Sequence, residues 1–222
     1  RSLEQAALFE APFEYVKKHV KPLRDTNRDA QRKRFWWRHG RAGTDLRTAL
    51  AGTKRQIATP RVAKHRLFVW LGSDTVVSDA VVAFARADDY FFGVLHSRAH
   101  EVWARKQGTQ LREVESGFRY TPTTCFETFP FPRATQEQQW AISLAAKDLN
   151  ELREHWLNPQ EMIGAKELAK RTLTNLYNAR PTWLANAHRT LDEAVFAAYG
   201  CRERPVALTD GEIIVRLLKL NF

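Results

Sequence analysis

Apolar residues recur every three or four positions at the start of this chain and again over its last part, a spacing that places them on one face of an α-helix. Residues 2–20 carry the first such stripe, whose members are Leu3, Ala6, Phe9, Phe13, Val16 and Val20. A basic tract with few apolar residues follows. The pattern therefore predicts an amino-terminal helix and then a polar, charged segment.

Between residues 66 and 121 the apolar residues form short runs, rich in β-branched and aromatic side chains. Gly-Ser-Asp and Ala-Asp-Asp sequences, which favour turns, separate these runs. The pattern predicts strands over 66–71, 75–85, 89–95 and 118–121, which we expect to form one antiparallel or mixed sheet. Within this part, Ser97 can cap a short helix over Arg98–Gln107, and Gly108 would end it.

Helical periodicity returns after Pro132. One stripe consists of Ile142, Ala145, Leu149, Leu152 and Trp156, and a second of Ala165, Ala169, Leu173 and Leu176, ending before Pro181. A third helix is predicted from about Thr182 to Tyr199, with Gly200 at its end and Leu184, Ala187, Leu191, Ala194 and Ala198 facing inward. Thr209 and Glu212 have capping-box spacing, which predicts a terminal helix whose apolar residues are Ile213, Leu217 and Leu218.

These elements predict an α+β protein with two domains. Residues 1–133 would form a mixed or antiparallel sheet with flanking helices, and residues 134–222 a small all-α helical bundle. The boundary is placed at residue 133 because the composition shifts there from mixed apolar runs to helical stripes. With 222 residues and 44% apolar side chains, both parts can bury a core.

Charge is distributed as unevenly as hydrophobicity. The chain has a formal net charge of +10, and residues 17–66 hold sixteen Lys or Arg residues against three acids, whereas residues 134–222 hold eleven of each sign. Such a segment favours binding to a polyanion, because each phosphate that it neutralises releases condensed counterions. Nucleic acid is therefore the predicted partner, with an anionic membrane or a merely solvated basic surface as alternatives.

Two further features limit the class of protein. No apolar run approaches the roughly 20 residues that span a bilayer. Cys125 and Cys201 form neither a CxxC pair nor a disulfide framework, which indicates a reducing compartment and no structural zinc. Because the chain starts at Arg1 without an initiator Met, we expect it to be a piece of a longer protein.

The candidate nucleic-acid contacts fall into two clusters. The first consists of Arg24, Asn27, Arg28, Arg32, Arg34, Arg38 and Arg41, and the second of Arg61, Lys64 and Arg66, with Arg98 and His100 in support. Side chains of these types bind phosphates or read base edges. Trp36 and Trp37, which lie among the first cluster, can stack on bases, but the interpretation as packed core anchors is favoured.

Catalytic chemistry finds little support in the sequence. His96 and His100 with Glu101 could form a metal site, although Ser97 would place His96 outside the helix, so a structural or DNA-contacting His100 is favoured. His188 and Asp192 are spaced like an orienting pair, but no nucleophile is near them and a helix-surface pair is the simpler interpretation. No phosphate-binding Gly-rich loop, nuclease motif or adenine-gripping Asn/Asp-Pro-Pro-aromatic motif is present.

Several strings nevertheless follow a recognisable order. They are Arg24-x-x-Asn27-Arg28 with Trp36-Trp37, Asp89-Tyr-Phe-Phe-Gly93-Val-Leu-His-Ser97 with His100 and Trp103, Arg119-Tyr120, TCFETFPFP from Thr124 to Pro132, Leu176-Tyr-Asn178, Ala198-Tyr-Gly200 and Leu217-Leu-Lys-Leu-Asn221. Together they resemble the carboxy-terminal part of MmeI-like, class I S-adenosylmethionine-dependent DNA methyltransferases, which are large single-chain restriction–modification enzymes.

This resemblance implies a role and a set of partners. Residues 1–133 would be a target-recognition domain that binds double-stranded DNA. Residues 134–222 would be a helical tail that braces this domain or grips the DNA, and their zero net charge favours bracing. An upstream methyltransferase domain of the same chain would hold S-adenosylmethionine, flip an adenine and methylate its N6 atom in the cytoplasm of a bacterium. The fragment itself would hold no cofactor and catalyse nothing. A metal-dependent enzyme using His96 and His100, or a basic protein-interaction module, are the alternatives.

Overall fold

The computed structural model describes residues 2–40, 43–110, 117–161 and 164–220. Contacts divide the chain into two compact units, Arg1–Ala49 and Leu50–Phe222. The expected boundary at residue 133 stays a prediction. Side chains on both sides of that position, from Ile57 to Leu217, belong to one hydrophobic core.

The unit Arg1–Ala49 consists of short helices. They are α1 Leu3–Ala7, α2 Glu10–His19, α3 Lys21–Asp25, α4 Ala30–Arg34 and α5 Thr44–Ala49. The single helix predicted over 2–20 is thus interrupted at Phe9, whose backbone (φ −98°, ψ 72°) is not helical. Three of these helices, α3, α4 and α5, lie within the basic tract, where none was predicted. No described residue of positions 2–49 is buried, so this unit has little apolar core of its own.

The second unit contains two small antiparallel sheets. Its strands are β1 Arg55–Pro60, β2 Val62–Ala63, β3 Val69–Gly72, β4 Val81–Phe84, β5 Thr109–Gln110 and β6 Phe118–Arg119. One sheet has the order β3-β1-β4 and the other β2-β6-β5. In the first sheet Ile57 lies opposite Trp70 on one side and Phe84 on the other. The prediction of an α+β fold with antiparallel strands is confirmed, but the strands form two sheets.

The central strand β1 was not predicted. Its interior residues Gln56, Ile57, Ala58 and Thr59 are all buried, so the strand lacks the polar–apolar alternation of a half-exposed strand. Both polar side chains donate hydrogen bonds inside the protein, whereas the buried Gln56 Oε1 has no partner among the described residues. Gln56 Nε2 donates to the carbonyl oxygens of Gly72 and Thr75, and Thr59 Oγ1 donates to that of Leu67. Because two of its buried residues are polar, the pattern of apolar positions does not predict this strand.

The segment predicted as a strand over 89–95 is helix α6, Asp89–His96. Its start is set by Asp88, whose side chain accepts a hydrogen bond from the Phe91 N–H. Residues 91–96 are all buried, which explains why the run is almost continuously apolar. The helix predicted over Arg98–Gln107 is confirmed as α7, and Ser97 caps it by accepting from the His100 N–H.

The remaining helices follow residue 133, and a π-helical turn, Pro122–Phe126, precedes them. They are α8 Gln136–Leu157, α9 Ala165–Leu168, α10 Leu173–Ala179, α11 Thr182–Ala198 and α12 Asp210–Leu218. The predicted second helix is thus two short ones. The capping box of Thr209 and Glu212 is confirmed at the start of α12. No described helix is both long and apolar enough to cross a membrane.

The inward face of α8 differs from the predicted stripe. Its buried residues are Ile142, Ala145, Ala146, Leu149 and Arg153. Leu152, which was predicted to face inward, is 44% exposed, whereas the charged Arg153 is fully buried. The helix is therefore rotated relative to the prediction, and Arg153 takes the place of Leu152 on its buried face.

Gly93 allows helices α6, α8 and α11 to pack closely. A Cβ atom at this position would lie 2.9 Å from both Ala146 Cβ and Ile142 Cγ2, and 3.2 Å from Leu191 Cδ1. Real Cβ contacts are longer than this, so any side chain here would force the helices apart. The glycine is required by the closeness of the helices, since its backbone is ordinary helix.

We expect Gly93→Ala to destabilise the protein by about 1–3 kcal/mol, the usual cost of overpacking a core. In a domain of this size this corresponds to a fall of roughly 2–12 °C in the melting temperature. Gly164→Ala is the matched control, because a Cβ atom at Gly164 meets nothing within 4 Å. Thermal unfolding followed by circular dichroism compares the two. Equal melting temperatures for both variants would contradict the close packing at Gly93.

Candidate nucleic-acid interface

The arginines of the first predicted cluster lie on and around α3 and α4, where most of them are exposed. Arg28 and Arg34 face solvent, and Arg32 Nε lies 3.4 Å from Asp29 Oδ2 in an exposed ion pair. Exposed pairs of this kind contribute little to stability, so the guanidinium groups can exchange partners at small cost. Arg24 is partly buried, and its Nη1 has no hydrogen-bond partner within the described residues.

Aromatic rings support this basic surface. Trp36 contacts Phe13 at a centroid distance of 5.4 Å and Trp37 at 5.9 Å. The guanidinium of Arg38 lies 4.7 Å from the centroid of Phe35, a cation–π distance. Both tryptophans are of intermediate exposure. The interpretation as packing anchors therefore accounts for their contacts, and Arg34 and Arg38 lie over the rings of Phe35 and Trp37.

Asn27 shapes the turn that leads into α4. Its Oδ1 accepts a hydrogen bond from the Asp29 N–H at 2.9 Å, and Asp29 in turn caps the helix by accepting from the Gln31 and Arg32 N–H groups. The Asn27 side chain is thus engaged with the backbone, which fixes where Arg28 projects. Arg41, the last member of the predicted cluster, lies outside the described residues.

The second predicted cluster is divided between surface and interior. Lys64 is exposed, and Arg61 Nη2 lies 3.4 Å from Asp79, whose side chain is 93% exposed. Arg66, in contrast, is only 5% exposed. It donates to Thr59 Oγ1 and to the backbone oxygens of Pro60 and Phe118, so it joins the segment before β3 to both sheets. Burial lowers the pKa of this guanidinium to about 10.

Arg98 and His100 also hold the protein together. Arg98 donates through its guanidinium to the carbonyl oxygens of Pro205 and Leu208, and pairs with Asp210 at 2.8 Å, tying α7 to the start of α12. His100 is fully buried, with Nδ1 2.9 Å from the Leu95 carbonyl and Nε2 3.0 Å from the Tyr120 hydroxyl. Nδ1 therefore donates and Nε2 accepts. Burial lowers the pKa of His100 to about 3.

These positions narrow the set of candidate contacts. Arg66 and His100 have almost no surface to offer a phosphate, and every hydrogen bond named above would have to break before they could reach one. Arg98 uses its guanidinium on three partners of the same unit. Arg66, Arg98 and His100 therefore act as cross-links within the unit Leu50–Phe222. The sequence did not distinguish them from the exposed arginines, because all lie in basic or polar strings.

A buried polar cluster around His96 was missed by the sequence analysis. Arg153 Nη1 donates to His96 Nε2 at 2.7 Å, and the Phe68 N–H donates to the same nitrogen at 3.2 Å. Arg153 Nη2 donates to the Phe68 carbonyl at 3.0 Å. His96 is therefore neutral, and burial together with Arg153 holds its pKa well below the usual range. No group of three potential metal ligands is found within the described residues.

His188 and Asp192 are not the surface pair that their spacing suggested. His188 Nε2 lies 2.8 Å from the Tyr177 hydroxyl, and Asp192 Oδ1 accepts from the Arg98 N–H at 2.7 Å. Burial, then Arg180 and Arg153, lower the pKa of His188 to about 3. Burial raises the pKa of Asp192 to about 7, against the stabilising Arg98 N–H, and the charge of Glu101 adds to the rise.

Asp192→Asn is expected to stabilise the protein increasingly as the pH rises. The carboxyl titrates at about 7 in the folded protein and near 3.8 when unperturbed, so between these values the folded state keeps a proton that the unfolded chain has released. Stability linked to this group therefore falls as the pH rises towards 7.

Between pH 5 and pH 8 the stability advantage of D192N over the parent should widen by about 2–3 kcal/mol, since one pKa unit corresponds to about 1.4 kcal/mol. Urea unfolding at both pH values measures the difference, and Asn retains the acceptor for the Arg98 N–H. An advantage that is the same at both pH values would show that Asp192 is ionised throughout.

A solved structure and a bacterial protein are similar to this chain. A solved structure, "Structure of Type IIL restriction-modification enzyme MmeI in complex with DNA has implications for engineering of new specificities", superimposes with a TM-score of 0.71 at 23% identity, covering 94% of this chain and 26% of that one. The chain is also 30% identical over 174 residues to "DNA methyltransferase A" of Bacillus subtilis (strain 168), covering 76% of this chain and 18% of the relative.

The chain thus spans less than a third of either relative. The match that carries the assignment is to the family described as "MmeI, target recognition domain", and it extends over residues 15–133. These residues include all of the basic segment 17–66 and the six strands of the described part of the chain. Because the match covers more than half of this chain, the chain belongs to the MmeI target recognition domain family.

Proposed function

We propose that this chain recognises duplex DNA as the target-recognition part of a larger adenine-N6 DNA methyltransferase or restriction–modification enzyme. The observation that carries the proposal is that the segment with sixteen basic residues against three acids, 17–66, lies inside the region that matches the family. Positive charge of this density supplies affinity for the phosphate backbone, and base-edge contacts then supply sequence preference.

Eight basic residues of the segment 17–66 are the proposed phosphate contacts. They are Arg24, Arg28, Arg32, Arg34, Arg38 and Arg41 of the first cluster, with Arg61 and Lys64 of the second. Asn27 supports this set by fixing the turn before Arg28. Side chains held loosely at a surface, such as Arg32 in its exposed ion pair, can turn to a phosphate without leaving a buried group unsatisfied.

Residues 134–222 are proposed to brace the recognition part. Their formal charges cancel, which gives them no electrostatic preference for DNA. Their helices pack instead against α6, and Arg153 reaches the Phe68 carbonyl beside β3. A rigid support favours sequence reading, because base contacts require the reading side chains to be held in place.

Methylation would be the work of a part of the protein that this chain does not include. The relatives are a DNA methyltransferase and a restriction–modification enzyme, which supports S-adenosylmethionine as the cofactor of the parent protein and the bacterial cytoplasm as its location. The partners are then double-stranded DNA and the methyltransferase domain of the same chain. We propose no catalytic residue within this chain.

Binding of the chain to duplex DNA is expected to weaken steeply with salt. Between about 50 and 200 mM salt the affinity should fall by roughly 10³-fold or more if six or more phosphates are contacted. Arg28→Ala and Arg34→Ala should each lower the slope of log affinity against log salt by about one, with equal losses on all sequences. Fluorescence anisotropy with a labelled duplex measures both quantities.

Arg189→Ala is the matched control, because Arg189 is an exposed arginine of α11 outside the basic segment. It should leave affinity and slope unchanged. Affinity that is independent of salt would contradict the electrostatic contact. Equal losses for Arg28→Ala and Arg189→Ala would show that net charge, and no particular surface, governs binding.

A further inference from the structure

The first two helices of the unit Arg1–Ala49 border an apolar groove of about 480 Å³. Arg38 and His39 contribute to its lining, and the rest comes from six apolar residues of α1, of α2 and its N-cap, and of the segment after α4. They are Ala6, Phe9, Pro12, Phe13, Val16 and Trp37. Most of them belong to the apolar stripe of residues 2–20, which the proposed DNA contacts do not use.

Large apolar side chains in and next to this groove are exposed. Leu8 is 80% exposed and Phe9 is 51% exposed, both in the connection between α1 and α2. Leu3 of α1 is 37% exposed. Single exposed apolar residues are ordinary, but three of them within seven positions beside a groove are typical of a protein–protein contact surface.

The two helices are too short to be stable in water by themselves. Helix α1 has five residues and α2 has ten, whereas isolated helices need roughly 12–15 residues even in favourable sequences. Burial of an apolar face normally supplies the remaining stability. No described residue of positions 2–49 is buried, so burial of this kind is lacking in the chain alone. A surface that covered the groove would provide it.

The charge around the groove favours a protein over DNA as its occupant. Residues 2–16 contain three acids, Glu4, Glu10 and Glu14, and no Lys or Arg, whereas the basic segment begins at Lys17. Carboxylates beside an apolar surface repel a phosphate backbone. The match to the recognition-domain family also begins at residue 15, so most residues of this surface precede the matched region.

We propose that the groove is the docking surface for the methyltransferase part of the same protein, which would place apolar side chains against Phe13, Val16 and Trp37. The inference rests on the proposed function, because that function supplies the partner. The chain spans 18% and 26% of its two relatives, a DNA methyltransferase and a restriction–modification enzyme, so each relative has several times this length of further polypeptide.

Docking at this groove would also position the DNA-binding residues. Helix α2 carries Phe13 and Val16 of the groove, and its last turn carries Lys17 and Lys18, where the basic segment begins. One short helix therefore connects the proposed docking surface to the proposed DNA-binding surface. A partner that fixes α2 would hold the start of the basic segment in place while bases are read.

Hydrogen exchange measured by mass spectrometry tests the proposal in the full-length parent protein and in the 222-residue chain. In the chain alone, the amides of residues 3–16 are expected to exchange fast, because their helices are short and exposed. In the parent protein the same amides should exchange about tenfold more slowly or less. Equal exchange of these residues in the two proteins would overturn the proposal.

Leu8→Ser makes the result specific. In the chain alone it should change the melting temperature by no more than about 2 °C, because the side chain is exposed. In the parent protein it should remove about tenfold of the protection of residues 3–16, because the burial of a leucine is lost.

Val76→Ser is the matched control, since Val76 is 75% exposed and lies between β3 and β4. It should leave the exchange of residues 3–16 unchanged in both proteins. An equal loss of protection in the Leu8→Ser and Val76→Ser variants of the parent protein would contradict a contact at the groove.

Two further measurements identify other occupants. Sedimentation of the chain alone over a range of concentrations detects self-association, and a dimer that Leu8→Ser dissociates would assign the groove to a second copy. Protection of residues 3–16 that appears when duplex DNA is added to the chain alone would assign it to DNA. Either result overturns the proposal.

The same experiments separate this inference from the proposed function. A chain that binds duplex DNA, with equal exchange of residues 3–16 in chain and parent, keeps DNA recognition and removes the docking surface. A chain that binds no duplex, with residues 3–16 protected in the parent, removes DNA recognition and keeps the docking surface.

Discussion

The buried guanidinium of Arg153 joins the parts of the larger unit that the sequence separates. It extends from α8 to the Phe68 backbone and to His96 of α6, with distances of 3.0 and 2.7 Å. A charge in this position is costly unless its hydrogen bonds are made, so the three segments cannot shift independently. The neutral state of His96 follows from this contact, because its Nε2 accepts from both Arg153 and the Phe68 N–H. The helices after residue 133 are thus part of the same core as the sheet.

Arginine has two different uses in this protein, and only one of them produces a binding surface. In the unit Leu50–Phe222, Arg55, Arg66, Arg98 and Arg153 donate to backbone oxygens or buried acceptors and act as cross-links. In residues 2–40, Arg34 and Arg38 lie over aromatic rings and Arg32 is in an exposed ion pair. The net charge of +10 counts both kinds of arginine equally and so does not distinguish them. The exposure of the side chain distinguishes the two kinds of arginine. An exposed guanidinium can bind a DNA phosphate without breaking a buried hydrogen bond, whereas a cross-linking guanidinium cannot.

Local signals in the sequence predicted much of the fold. Ser97, Thr209 and Glu212 marked helix starts correctly, since a cap is decided by a few neighbouring residues. Strand β1 was not predicted because it buries Gln56 and Thr59, whose side chains donate to backbone carbonyls of Gly72 and Leu67 on other segments. The apolar pattern predicts a strand over 89–95 where the structure has helix α6, because a fully buried helix and a buried strand are both continuously apolar. Asp88 sets the start of this helix as its N-cap, whereas the sequence pattern predicts a turn at this residue.

The candidate site was harder to predict than the fold, for a related reason. Whether Arg66 or Lys64 faces solvent depends on acceptors in Thr59, Pro60 and Phe118, which the chain brings together only when both sheets have formed. The result is a separation of tasks between residues. Exposed arginines such as Arg28 make few contacts within the protein, so changing them costs little stability. The cross-linking arginines cannot be changed so freely. Affinity for a polyanion can therefore be adjusted in residues 17–40 while the core that supports the sheets is kept.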